Sequence, residues 1–161
     1  MGMMTVPQAP IAASIDTRTI LIVDDDPSLL GLLSVSLEEA GFTVLKGTSS
    51  QKALEACRRH AGPIHLVIAD IMLPPSNQLS LGQKGKGQRP NTDGLDLVRQ
   101  LKAIRPETLV MLMSGQSEDA LKNLDAMKDF LKEGRPFLRK PFSVGTMLRL
   151  VRETLSASPP A

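Results

Sequence analysis

Short apolar runs along this chain alternate with longer stretches in which apolar residues recur at helical spacing. Thr19-Ile20-Leu21-Ile22-Val23 is apolar and β-branched and stops abruptly at Asp24-Asp25-Asp26, as a fully buried strand emerging into a site would. Pro27 suits the first turn of a helix, and Leu29, Leu33 and Leu37, flanked by Leu30, Val35 and Ala40, repeat until Gly41 ends it. The spacing next predicts a strand over 42–45, a helix over 51–60, and a second buried strand, His65-Leu66-Val67-Ile68-Ala69, ending at Asp70. Leu95, Val98, Leu101 and Ile104 mark a third helix, which must finish near Arg105-Pro106 because the residue before proline disfavours helix. A fourth strand covers 109–113. Leu121, Leu124, Met127 and Leu131 give a fourth helix closed by Gly134, Phe137-Leu138-Arg139 a short fifth strand, and Val144, Leu148, Val151 and Leu155 a last helix.

Strands separated by helix-length segments require right-handed crossovers, hence an α/β fold: a doubly wound parallel sheet with helices on both faces. Both ends mix small and polar residues without a period, so the expected organisation is a tail over 1–17, one domain over 18–157 and a tail over 158–161. In such sheets ligands bind beyond the carboxyl ends of the strands. The polar residues obey that rule: Asp24 and Asp25 end the first strand, Asp70 the third, Ser114 the fourth and Lys140 the fifth.

Composition narrows the partners. Aromatic residues are 2% of the 161, with no Trp or Tyr, so a base-stacking platform has little to work with. Nineteen basic against seventeen acidic residues give a net charge of +2, too even for a broad phosphate-binding face, and direct nucleic-acid binding is not expected. No apolar run reaches the ~20 residues that span a bilayer, and the start carries no basic and apolar signal pattern. The lone Cys57 suits a reducing compartment and a core position, so a cytoplasmic location without membrane attachment is the expectation.

Clustered carboxylates raise one another's pKa unless a cation neutralises them, which implies a hard, oxygen-seeking divalent ion. Mg²⁺ fits best, with Mn²⁺ as a substitute, because it takes one or two carboxylates and completes its shell with phosphate oxygens. Phosphoryl transfer needs little beyond an in-line nucleophile and charge stabilisation. Asp70 can be that nucleophile, Lys140 a second cation on the phosphoryl oxygens, and Ser114 a hydroxyl donor that senses them.

The segments LIVDDDPSLL, LVIADIMLP, TDGLDLV, VMLMSG and FLRKPF resemble, in order, the motifs of response-regulator receiver domains of two-component signalling, and those of chemotaxis-type regulators among them. The resemblance implies a flavodoxin-like (βα)5 fold with strand order 2-1-3-4-5. It implies that Asp24 and Asp25 are the acidic metal pair, Asp70 the phosphoacceptor and Met72 the residue whose backbone carbonyl completes the metal shell. Ser114 matches the switch hydroxyl, Phe137 the rotating aromatic and Lys140 the phosphate-binding lysine, with a cis peptide before Pro141. The partners implied are a histidine kinase or histidine phosphotransfer protein, and an effector protein met by the face of the fourth helix, fifth strand and fifth helix. Phosphorylation-linked homodimerisation stays open. On this reading the chain is a switch and not an enzyme beyond its own phosphorylation and dephosphorylation, and its output lies in another protein.

One departure from the family is large: residues 75–92, PSNQLSLGQKGKGQRPNT, stand between the proline after the third strand and Asp93-Gly94. The stretch carries Lys84, Lys86 and Arg89 and no acid. Its plain reading is a mobile surface insertion; the sharper one is a basic flap over Asp70 that alters phosphorylation or partner choice. Two rival functions compete with this reading. A haloacid-dehalogenase-type phosphatase shares Asp24-x-Asp26, Ser114 and Lys140, but lacks a later acidic pair and leaves Asp70 idle. A degenerate receiver serving only as an interaction module is opposed by the intact acidic pair, acceptor and lysine. Asp26 reads as an acid favoured by the helix dipole rather than a metal ligand, His60 and His65 as structural, and Met111, Met113 and Met147 as core.

Overall fold

A computed structural model describes residues 18–73, 93–116, 127–128, 130 and 136–157. The strands are β1 (Thr19–Val23), β2 (Thr43–Gly47), β3 (Leu66–Asp70), β4 (Leu109–Ser114) and β5 (Phe137–Arg139). They form one parallel sheet in the order β2-β1-β3-β4-β5, as the resemblance implied. Between them run α1 (Pro27–Glu39), α2 (Ser50–Arg59) and α3 (Asp93–Ile104), and a last helix covers Val144–Ala157. The expected tails, most of the fourth predicted helix and the stretch 75–92 lie outside the described residues.

Side-chain alternation along the strands explains why the sheet is covered on both sides. Leu21, Val23, Val67, Ala69, Val110 and Leu112 pack on one face with Ala53 and Cys57 of α2 and Leu95, Val98 and Leu101 of α3. Ile20, Ile22, Leu66, Ile68, Met111 and Met113 pack on the other with Leu30, Leu33 and Leu37 of α1 and Met147, Val151 and Leu155 of the last helix. Cys57 and the three methionines are therefore core, and Met127 joins the first cluster.

The helix ends follow from local chemistry. Asp26 is the N-cap of α1, accepting from the backbone N–H groups of Ser28 (2.9 Å) and Leu29 (3.3 Å), and Pro27 occupies the first turn. Gly41 takes φ 101°, the left-handed conformation that ends α1 at little cost for glycine. Ser49 caps α2, which starts one residue before the apolar spacing predicts. β2 runs on to Lys46 and Gly47, two residues past the expected end, because pairing with Ile22 and Val23 of β1 carries the ladder on where composition gives no cue. Among the described residues no helix is long and apolar enough to cross a membrane.

Candidate phosphoacceptor and metal site

The sequence-predicted site residues Asp24, Asp25, Asp70, Met72, Ser114 and Lys140 fall at or just beyond the carboxyl edge of the sheet, while Phe137 opens β5, two residues before that strand's end. Asp24 follows β1 and its backbone N–H donates to the carbonyl of Gly47, at the end of neighbouring β2 (3.2 Å). Asp70 is the last residue of β3, Ser114 the last of β4, and Lys140 follows β5, its N–H donating to the Ser114 carbonyl (2.8 Å). The Lys140–Pro141 peptide is cis.

Carboxylate oxygens of Asp24, Asp25 and Asp70 all lie within 4.8 Å of one another. Asp24 is fully buried, Asp70 nearly so, and Asp25 exposed. Lys140 Nζ reaches between the two buried ones, 2.7 Å from Asp24 Oδ2 and 2.8 Å from Asp70 Oδ2. The other oxygens are also fixed: Asp24 Oδ1 accepts from the Asp26 N–H and Asp70 Oδ1 from the Met72 N–H, each at 2.9 Å. Burial holds the Asp24 carboxyl above the usual carboxylate range, even though hydrogen bonds from Lys140 and from the Asp26 N–H pull the other way. Burial alone would lower the Lys140 pKa, but its hydrogen bonds to Asp24 and Asp70 outweigh it and the net shift is upward.

This donor set fits a divalent cation of the Mg²⁺ class. It offers clustered, hard, anionic oxygens, and the protein already places one positive charge, the Lys140 ammonium, against two of them. Ser114 is buried, and its hydroxyl accepts from the Gln116 N–H (3.0 Å), which leaves the hydroxyl proton to be donated elsewhere. Phe137, half-buried on β5, packs against the first core cluster. Asp26 stands apart from the cluster as a helix cap, so the acid required by the dehalogenase-type reading is committed to α1.

Sequence reasoning missed one feature. Gly94, in the first turn of α3, lies so close to the end of β3 that an added Cβ would collide with the Asp70 carbonyl oxygen. It would also sit 2.7 Å from Ile71 Cα and 2.8 Å from the Asp70 carbonyl carbon. The available signal is a glycine opening a helix, where alanine would form the helix better.

Comparison with known proteins agrees with the geometry. The family model described as "Response regulator receiver domain" matches residues 20–84, ending inside the 75–92 stretch. The sensor kinase CckA of Brucella abortus is 29% identical over 140 residues, 86% of this chain and 13% of that protein. The probable transcriptional regulatory protein TcrX of Mycobacterium tuberculosis is 26% identical over 137 residues, 85% of this chain and 49% of that protein. The chain thus spans half or less of the length of both. Among solved structures, a CheY-like receiver domain from Methanospirillum hungatei superposes with a TM-score of 0.66 at 22% identity, covering 87% of this chain and 94% of its own. A receiver domain from Clostridium thermocellum gives 0.64 at 25% identity, covering 86% and 94%. With the sheet order, the acidic cluster and these likenesses in agreement, the chain is similar over residues 20–84 to the response-regulator receiver domains of two-component systems and shares their fold.

Proposed function

We propose that this domain is a phosphorylation-controlled switch in which Asp70 accepts a phosphoryl group from a histidine kinase or histidine phosphotransfer protein. The observation that carries the reading is the meeting of Asp24, Asp25 and Asp70 with the Lys140 ammonium at one sheet edge. A carboxylate oxygen of Asp70 attacks phosphorus, the P–N bond of the phosphohistidine breaks, and its electron pair returns to the imidazole, leaving an acyl phosphate. Asp24, Asp25, Asp70 and the Met72 carbonyl would hold Mg²⁺, which neutralises charge on the phosphoryl oxygens when bound. Lys140 supplies the second positive charge, exchanging part of its contact with Asp70 for the incoming phosphoryl group. The Ser114 hydroxyl donates its proton to a phosphoryl oxygen, and Phe137 follows that movement into the face of the fourth predicted helix, β5 and the last helix. An effector protein reads that face. On this reading the domain signals and catalyses nothing beyond its own phosphorylation and dephosphorylation.

The test is the intact mass of the protein after incubation with acetyl phosphate and Mg²⁺, alongside EDTA-treated protein and Asp70→Asn. A single Mg²⁺-dependent phosphoryl adduct, lost in Asp70→Asn, is the expected result. Equal labelling of wild type and Asp70→Asn would remove Asp70 as acceptor. No adduct on folded wild type would leave a phosphorylation-independent interaction module.

A further inference from the structure

We propose that Gly94 is a positioning residue for the metal-binding turn: its missing side chain lets α3 seat directly on the backbone of Asp70 and Ile71. This inference rests on the reading of Asp70 and the Met72 carbonyl as metal ligands. Its ground is the packing of three elements around one turn. From the β4 side, the Met113 carbonyl accepts from the Ile71 N–H (2.9 Å). From the α3 side, the Gly94 N–H donates to the Ile71 carbonyl (3.1 Å). Within the turn, the Met72 N–H fixes Asp70 Oδ1, which leaves Oδ2 to Lys140. The peptide between Ile71 and Met72 is thus held from one end by Gly94, and the next carbonyl along is the one assigned to the metal.

Backbone conformation does not explain the glycine. Among the described residues only Gly41 has a positive φ, so Gly94 adopts a conformation open to any residue. Alanine would favour the helix, and at Gly31 of α1 an added Cβ would meet nothing within 4 Å. What forbids a side chain at 94 is the neighbour, and that neighbour is backbone, which cannot swing aside as a flexible side chain can. A methyl group there must push α3 and the Asp70–Met72 turn apart, moving the Asp70 carboxylate and the Met72 carbonyl relative to Asp24 and Asp25.

Calorimetric titration with Mg²⁺ and thermal unfolding of wild type, Gly94→Ala and Leu95→Ala test this. Leu95 is buried in the same core cluster as Ile71, so its truncation lowers stability while placing no new atom against the Asp70–Ile71 backbone. The expected result is a loss of about ten-fold or more in Mg²⁺ affinity for Gly94→Ala, the scale seen when groups that orient metal ligands are removed. Leu95→Ala should keep wild-type affinity despite a lower Tm. Unchanged affinity in Gly94→Ala, or affinity loss that follows Tm alike in both variants, overturns the inference. Should Gly94→Ala not fold, amide exchange in the wild type decides: saturating Mg²⁺ should slow exchange at the Gly94 N–H, and an unchanged rate overturns the inference. A wild type that binds no Mg²⁺ would sink the functional reading itself, and this inference with it.

Discussion

The two ends of the sheet hold polar groups in opposite ways. At the carboxyl edge, carboxylates stand within 4.8 Å of one another, with one ammonium between two of them, so the cluster is short of positive charge. At the amino edge, polar groups close on neutral backbone. Arg105 donates to the carbonyls of Gly62 (2.7 Å), Cys57 (2.9 Å) and His60 (2.7 Å), tying the start of β4 to the end of α2. Nearby, the Thr108 hydroxyl donates to the Ile64 carbonyl (2.7 Å), and His65 Nδ1 accepts from the Thr19 N–H (3.0 Å). Arg105 Nε itself is buried without a partner, but the guanidinium's other nitrogens are satisfied by carbonyls; hydrogen-bonded polar groups stabilise, whereas clustered like charges cost stability unless a ligand supplies what is missing. One edge holds the fold; the other, on the proposed function, receives a cation and a phosphoryl group.

Arg105→Ala should have the largest effect on stability. It leaves carbonyls at the end of α2 without their charged donor, at a cost of about 3 kcal/mol. Urea denaturation would show the loss, and Mg²⁺ should stabilise this variant by the same increment as wild type, with phosphoryl labelling intact. Impaired labelling in well-folded Arg105→Ala would break the division between the two edges.

Lys140→Ala should cost less, about 2 kcal/mol, below the loss expected for a fully buried pair because the lysine side chain is 24% exposed. Here the two edges should part company. Mg²⁺ should stabilise Lys140→Ala more than wild type, since the ion no longer competes with an ammonium for oxygens of Asp24 and Asp70. Equal Mg²⁺ increments in the two proteins would show that lysine and cation do not share those oxygens.

The carboxyl edge was largely legible in the sequence and the amino edge was not. Strand interiors buried on both faces admit only apolar residues, so a run such as LVIA followed by Asp70 marks both the strand and its functional end. Asp24 and Lys140 could be assigned to one edge for the same reason, although 116 residues separate them in the chain. Arg105 carried no such mark. Before Pro106 it reads as a helix stop, and α3 does end at Ile104, but its partners lie 43 to 48 residues away and are main-chain carbonyls, which every residue possesses. Gly94 was visible as half of Asp93-Gly94, yet its reason is contact with Asp70 and Ile71, and contact across the fold has no periodicity to read. The end of β2 carries no mark in the sequence because Lys46 is exposed and Gly47 has no side chain to pattern, so pairing with Ile22 and Val23 alone extends the strand.

Asp26 gives the smallest effect and the finest test of the boundary between the site and its support. It adjoins the acidic pair in sequence, but its carboxylate is turned to the N-terminus of α1, where it accepts from Ser28 and Leu29. Its own N–H, which donates to Asp24 Oδ1, belongs to the backbone and survives substitution. Asp26→Ala should therefore cost about 1 kcal/mol, the usual value of a lost N-cap, while Asp26→Ser should recover most of it. Mg²⁺ affinity and the rate of labelling by acetyl phosphate should stay near wild type in both variants. If affinity fell in Asp26→Ala while Asp26→Ser restored stability but not affinity, the carboxylate would have to be counted as a metal ligand, and the cap reading would fail.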